Sequence, residues 1–275
     1  MTDDRTHDHD HDLGLAHDVE VLIDRRRLLG ILGGLTVAGA LAACAAPAAS
    51  SSSSSASSSG SSSSGTTSLP EVPDETAGPY PADGSNGPNS LDDSGIVRSD
   101  IRASYGTSST VATGTPLTVR LTVRDASTGD ALSGAAVYLW HADQQGRYSI
   151  YSNGLEAENY LRGVQETDST GTVEFSTVFP GCYDGRWPHI HFEVYESLAA
   201  ATTSGPIVKT SQLAMPKETC EAVYAASGYE ASVQNLARTS LASDMVFGDD
   251  GGIHQLASIS GSVGSGLAAS LTIGV

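Results

Sequence analysis

Hydrophobic and polar residues alternate along several short stretches of the chain from residue 118 onward. A period of two places apolar side chains on one face of a strand and polar ones on the other. The stretches are rich in Val, Thr, Phe and Tyr, and clusters of Gly, Asp, Ser and Asn that favour turns lie between them. The pattern predicts five strands, at residues 118–124, 135–140, 171–179, 189–195 and 207–213.

Helical periodicity is scarce in the same part of the chain. The best helix candidate is residues 218–226, and the Gly- and Ser-rich tail at 251–275 predicts one or two further strands. Several short strands joined by turns are typical of two packed sheets. We therefore predict an all-β fold, an antiparallel β-sandwich with long loops, over residues 70–275, about 200 residues and enough for one sizeable core.

The first 69 residues differ from this domain in composition. Arginines at 25–27 precede an apolar run of 16 residues, 28–43, which is shorter than the ~20 that a membrane-spanning helix needs. The arginines resemble a twin-arginine export signal, and Cys44 resembles the lipidated cysteine of a bacterial lipobox. We predict an export signal at 1–44; an ordinary cleaved signal with an incidental Cys44 is the alternative.

A serine-rich segment follows the signal. Residues 50–64 contain 13 serines, and such a stretch buries too little surface to offset the entropy of ordering its backbone. We predict a disordered linker at 45–69 that joins the anchor to the domain. The expected location is the outer face of the cytoplasmic membrane, as a cell-surface lipoprotein, or the medium, as a secreted protein.

The charge balance excludes some partners. The chain has 32 Asp and Glu against 14 Lys and Arg, a net charge of −18. Residues 1–43 hold eight acids and four arginines, so −4 belongs to the signal and −14 to the remainder. A nucleic-acid partner is not expected, because phosphate binding needs clustered cations. Electrostatic docking on an anionic membrane is also disfavoured, so membrane contact is expected only through the lipid anchor.

Two cysteines remain once Cys44 is assigned to the anchor. Cys182 and Cys220 form an even pair in an exported chain, where oxidation is permitted. We predict a disulfide between them, which would stabilise the fold by ~2–4 kcal/mol. Two buried free thiols are the alternative.

Metal-binding chemistry is concentrated in a short loop and the strand after it. His189 and His191 are two apart on a predicted strand, so both leave the same face about 6.6 Å apart. Imidazoles at that spacing can converge on one metal ion. Tyr183 and Arg186 lie just upstream, and Tyr148 ends an earlier loop. Each residue alone has an ordinary structural interpretation, and their joint occurrence is what indicates a site.

These motifs together resemble the intradiol ring-cleavage dioxygenases, in particular their compact secreted branch. The similarity rests on residues 140–149 (WHADQQGRYS) and 179–191 (FPGCYDGRWPHIH). Residues 75–80 (ETAGPY) and 95–101 (GIVRSDI) match the opening of that family. The resemblance covers roughly residues 71–215, most of the folded part.

The resemblance implies one non-haem Fe(III) per site. Tyr148 and His189 would be equatorial ligands, Tyr183 and His191 would be axial, and a hydroxide would complete the set. Phenolate oxygens are hard donors that stabilise the ferric state, and imidazole suits iron. A tyrosine titrates near ~10, so a bound cation is what would hold two phenolates at neutral pH.

The resemblance also implies the reaction and its catalytic residues. A catechol-type ring and O2 would be the substrates, and the ring would open between the hydroxyl-bearing carbons to a muconate-type dicarboxylate. Tyr183 would take a substrate proton and leave the metal. Arg186 would stabilise charge on the ring, and Gln212 matches a glutamine near the substrate.

Other interpretations stay open at this stage. A different metalloenzyme, a metal-binding β-sandwich protein without ring-cleavage activity, and a binding module of the same fold are the alternatives. Trp140 and His141 are assigned to packing or to support of the ligands. The sequence does not specify the oligomeric state or the particular catechol.

Overall fold

The computed structural model of the protein describes residues 68–275. The predicted signal at 1–44, its Cys44 and nearly all of the linker lie outside the described residues. The domain contains eight strands: β1 (Pro116–Arg124), β2 (Ala136–Trp140), β3 (Arg162–Glu166), β4 (Thr172–Val178), β5 (His189–Tyr195), β6 (Ile207–Ala214), β7 (Ser258–Ser262) and β8 (Gly266–Gly274).

One sheet has the strand order β4-β1-β8-β7. Along β1, buried and more exposed residues alternate, as the period-two pattern predicts. Strand β1 pairs antiparallel with β4 and parallel with β8. The prediction of antiparallel pairing is therefore wrong for β1 and β8. A parallel neighbour needs a long crossover connection, and most of the chain lies between these two strands.

The second sheet has the order β3-β2-β5-β6, and each neighbouring pair is antiparallel. All residues of β2 and β5 are buried. One face packs against the first sheet in a core that includes Val119, Leu139 and Phe192. The other face is covered by the segment before β1, where Ala82 and Ile96 join a second cluster around Trp140. We call β3-β2-β5-β6 the site sheet and the first one the outer sheet.

Three short helices and a 3₁₀ turn connect the strands: α1 (Leu198–Thr202), α2 (Lys217–Tyr224), α3 (Glu230–Leu236) and the turn Leu241–Ser243. Helix α2 confirms the predicted helix, and β7 and β8 confirm the predicted tail strands. Strand β3 and helices α1 and α3 were not predicted. Within residues 68–275, no helix has the length and apolar character needed to cross a bilayer.

The disulfide prediction is wrong for this structure. Cys182 and Cys220 are both free and buried, which matches the alternative of two buried thiols. Each sulfur approaches a backbone carbonyl, at 3.4 Å for Cys182 and Arg186 O and at 3.9 Å for Cys220 and Met215 O. Burial raises the pKa of Cys182 to about 12, so this group is a neutral thiol that can donate weakly to a carbonyl.

Candidate metal centre and active site

Strand β5 places two histidines on one face of the site sheet, as their spacing predicts. The Nε2 atoms of His189 and His191 lie 3.0 Å apart, and both residues are buried. Burial is the largest cause that lowers the pKa of each imidazole, and neighbouring positive charge adds to it. Both rings are therefore neutral, which is the form that coordinates metals.

The two predicted tyrosine ligands approach the histidines from separate loops. The Oη of Tyr183 lies 3.3 Å from His189 Nε2. The ring of Tyr148 lies 5.8 Å from the ring of Tyr183 and 6.2 Å from that of His191, edge-on to each. Tyr148 is buried, whereas Tyr183 is half-buried. All four predicted ligands thus converge at one point beside β5.

The loops carry the tyrosines because of specific local contacts. Asp143 Oδ1 accepts backbone N–H groups of Gln145 and Arg147, which fixes the turn just before Tyr148. Gly146 in that turn has φ of 80°, and a Cβ there would lie 3.0 Å from Tyr183 Cβ. Only glycine permits both this conformation and the close approach of the two loops.

Neighbouring groups also orient the histidines. The Nδ1 of His189 lies 2.5 Å from the carbonyl oxygen of Trp187, so Nε2 is the nitrogen left to face the cluster. Trp140 stacks on His191 with ring centroids 4.8 Å apart and planes 7° apart. His141 lies further away and bonds Thr177, and burial lowers its pKa to about 4. Trp140 and His141 are thus in the supporting roles assigned to them.

This donor set fits a ferric ion. Two neutral imidazole nitrogens and the phenol oxygen of Tyr183 meet with neighbouring atoms 3.0 to 3.3 Å apart, and the buried ring of Tyr148 lies beside them. Within the described residues, no group of three or more His, Cys, Asp and Glu that would hold a metal ion is found.

Arg186 and Gln212 lie beside this cluster, as predicted. Gln212 pairs with His191 across β5 and β6, and its Oε1 accepts from Arg186 Nη2 at 2.7 Å. Arg186 Nη1 lies 3.5 Å from Tyr183 Oη. Its Nε donates to Asp244 Oδ2 at 3.0 Å in an ion pair in which both side chains are buried. Sequence reasoning missed Asp244, which follows the 3₁₀ turn and has no motif around it.

A second carboxylate near the site was also missed. Glu75 begins the ETAGPY segment, and its backbone N–H donates to Thr210 O on β6. Burial, with added repulsion from Asp249 and Asp250, raises the pKa of Glu75 to about 7. The same segment reaches the metal centre, since a Cβ on Gly78 would lie 3.4 Å from His191 Cε1.

Comparisons with known proteins show which class of protein this chain is similar to. A sequence model of the dioxygenase family matches residues 87–202. Chlorocatechol 1,2-dioxygenase of Pseudomonas putida is 32% identical over 97 residues, 29% of this chain and 36% of that protein. The enzyme of that name from Rhodococcus opacus is 36% identical over 62 residues, 22% of this chain and 24% of that protein. Each alignment thus spans only about a third or a quarter of the relative.

A solved structure is similar over a larger share. The intradiol ring-cleavage dioxygenase of Tetranychus urticae is 26% identical, with a TM-score of 0.60 over 75% of this chain and 94% of that one. The protein is a β-sandwich with a buried tyrosine–histidine cluster, and its fold is similar to that of this dioxygenase. Over the greater part of its described residues, the chain is similar in sequence and fold to the intradiol ring-cleavage dioxygenases.

Proposed function

We propose that the protein is an exported non-haem Fe(III) dioxygenase that opens a catechol-type ring between its two hydroxyl-bearing carbons. The products would be muconate-type dicarboxylates carrying both atoms of O2. The observation that carries this proposal is the convergence of Tyr183 Oη, His189 Nε2 and His191 Nε2 within 3.0 to 3.3 Å, beside a buried guanidinium.

Each residue of the centre has a role that follows from its position. Tyr148, Tyr183, His189 and His191 would hold one Fe(III), which when bound supplies a Lewis acid that prepares a chelated catechol for attack by O2. Tyr183 is the half-buried ligand, so its Oη is the one best placed to accept a substrate proton and move aside. The buried partners Tyr148 and His191 are held by packing and would stay in place.

Arg186 and Gln212 would act on the substrate side. The guanidinium next to Tyr183 Oη would stabilise negative charge on a deprotonated ring, and burial makes that interaction stronger than it would be in water. Gln212 would hold Arg186 through the bond to Nη2 and would also tie down the ETAGPY segment, because its Nε2 donates to Thr76 O at 2.9 Å.

The substrate class is a catechol, a substituted catechol or a hydroxyquinol-like compound. The relatives named chlorocatechol 1,2-dioxygenase support a catechol-type ring. Export and a lipid anchor at Cys44 complete the proposal. Replacing Cys44 with Ala should release the protein from the cell envelope into the medium, and an unchanged distribution between envelope and medium would contradict the anchor.

The test of the activity is a matched pair of one-atom changes. Tyr183→Phe and Tyr229→Phe each remove one buried or half-buried hydroxyl, but Tyr229 Oη donates to Phe179 O, away from the metal centre. With iron-replete protein and a panel of catechols, Tyr183→Phe should abolish oxygen uptake and change the red-brown phenolate-to-iron colour, whereas Tyr229→Phe should keep both. Full activity in Tyr183→Phe would contradict the assigned role.

The same preparation separates ring cleavage from metal binding alone. A red-brown, iron-loaded wild type that consumes no oxygen with any catechol would indicate a metal-binding protein without ring-cleavage activity. A colourless, iron-free wild type from an iron-replete host would contradict the iron site itself.

A further inference from the structure

Among residues 68–275, Asp244 is the acidic residue that forms an ion pair with the predicted catalytic arginine. It lies directly after the 3₁₀ turn Leu241–Ser243 and is 2% exposed. It also lies outside residues 87–202, the part matched by the family model. The role of Asp244 is therefore inferred from its contacts.

Both carboxylate oxygens of Asp244 accept hydrogen bonds from Arg186 and from backbone N–H groups. Oδ2 accepts from Arg186 Nε at 3.0 Å and from the Trp187 backbone N–H at 2.6 Å. Oδ1 accepts from the backbone N–H groups of Val246 at 2.8 Å and Phe247 at 3.2 Å, and from Arg186 Nη2 at 3.4 Å. Both oxygens thus hold the arginine, and Oδ1 also anchors the loop after Asp244.

These contacts determine where the guanidinium of Arg186 points. Nε and Nη2 are occupied by Asp244, and Nη2 is shared with Gln212 Oε1. Nη1 is the nitrogen directed at Tyr183 Oη. A planar guanidinium held on two sides cannot rotate without breaking charge-assisted bonds.

Charge, as well as geometry, requires the ion pair between Arg186 and Asp244. A buried arginine without a counter-ion is strongly unfavourable. Burial by itself would raise the pKa of Asp244, but the charge of Arg186 and the hydrogen bonds from Trp187 and Arg186 outweigh it and hold that pKa below its usual range. Asp244 is therefore a carboxylate in the folded protein, and it neutralises Arg186 in place.

We propose that Asp244 is a positioning residue for the ring-cleavage reaction, whose carboxylate holds Arg186 with Nη1 directed at Tyr183 and the substrate ring. The kinetic part of this inference rests on the proposed function. A competing role is to anchor the loop alone, through Val246 and Phe247.

A double-mutant cycle separates the two roles. In iron-loaded protein, Asp244→Asn should lower kcat by about 10- to 100-fold, with KM for catechol and iron content little changed. If Asp244 acts through Arg186, then in an Arg186→Gln background the added Asp244→Asn change should cost less than about threefold. An equal loss in both backgrounds, or a wild-type kcat in Asp244→Asn, would overturn the proposal.

Asp168→Asn is the matched control, because it makes the same chemical change at a carboxylate that caps an exposed turn. It should leave kcat unchanged. A general effect of aspartate-to-asparagine changes in turns would show equally at this position, and a loss there as large as that of Asp244→Asn would overturn the assignment to Arg186.

A second measurement needs neither activity nor a folded variant. In full-length wild type loaded with diamagnetic Ga(III), the Nε–H of Arg186 should exchange with solvent far more slowly than those of the exposed Arg102 and Arg120. Equally fast exchange would overturn the positioning role. Slow exchange in a wild type that cleaves no catechol would instead leave the Asp244–Arg186 contact standing and remove the proposed function.

Discussion

The two sheets of this domain have the same number of strands, but their strands differ in how completely their residues are buried. In the outer sheet, β1 alternates buried and more exposed residues, and its charged pair Arg120 and Glu174 lies in solvent. In the site sheet, every residue of β5 is buried, including two histidines and a glutamate. A strand covered on both faces can hold polar side chains out of water, and the chemistry of the protein is found there.

The difference has an energetic consequence. The exposed pair in the outer sheet contributes little, about 0–1 kcal/mol, because water screens it. Polar groups in the site sheet must instead find partners inside the protein, since an unsatisfied buried group costs about 1–3 kcal/mol. Tyr195 donates to Glu193 at 2.7 Å, and Arg162 donates to Ser149 and Pro81. Internal pairs of this kind hold the buried Glu193 and Arg162 in the site sheet.

The largest expected effect comes from removing a buried polar side chain of the site sheet. His191→Ala removes one metal ligand and the ring on which Trp140 stacks. The variant should lose bound iron and cleave catechol no faster than the background. Iron analysis and oxygen uptake measure this, with Thr118→Ala on β1 as the control that should keep both. Wild-type turnover in His191→Ala would remove this residue from the metal centre.

A core change in the outer sheet should act on stability alone. Leu121 on β1 is fully buried and pairs with Val173 and Leu271. Leu121→Ala should lower the free energy of unfolding by about 2–5 kcal/mol through lost burial and a cavity. Urea denaturation measures the loss, and kcat per folded molecule should stay at the wild-type value. A large fall in kcat with native iron content would show that packing in the outer sheet also affects catalysis at the site sheet.

The smallest effect concerns pH at the edge of the site sheet. The pKa of Glu75 is about 7 in the folded protein against an ordinary 4.5, so the folded state binds more protons between these values. The free energy of unfolding should therefore fall as pH rises from about 4.5 to about 7. In Glu75→Gln that decline should be smaller by about 1 kcal/mol, allowing for solvent screening. Identical declines in both proteins would contradict the shifted pKa.

The sequence was sufficient where a repeating pattern or a family motif was present. Alternation located β1 and β4, and the motifs located Tyr148, Tyr183, Arg186, His189 and His191, which the structure brings together. Strand β3 was missed because the sequence RGVQE has no alternation, its buried arginine being satisfied by groups far away in the chain. Partners distant in sequence leave no local signal.

Asp244 illustrates the same limit within the site. It lies 58 residues from Arg186, and no spacing rule connects an isolated aspartate after a turn to an arginine in another loop. The prediction of a Cys182–Cys220 disulfide is wrong for a different reason. Parity and an exported context suggested a bridge, but these features do not specify the direction in which each sulfur points, and the structure has both thiols free.

Incorporation of both oxygen atoms during ring opening is the most direct test of the central claim. Iron-loaded protein should be supplied with catechol and ¹⁸O2, and the product identified by mass spectrometry and NMR. We expect a cis,cis-muconate-type dicarboxylate with two ¹⁸O atoms, one in each new carboxylate. A ring opened beside the hydroxyls, or a product without label from O2, would contradict intradiol cleavage at the Tyr148–Tyr183–His189–His191 centre.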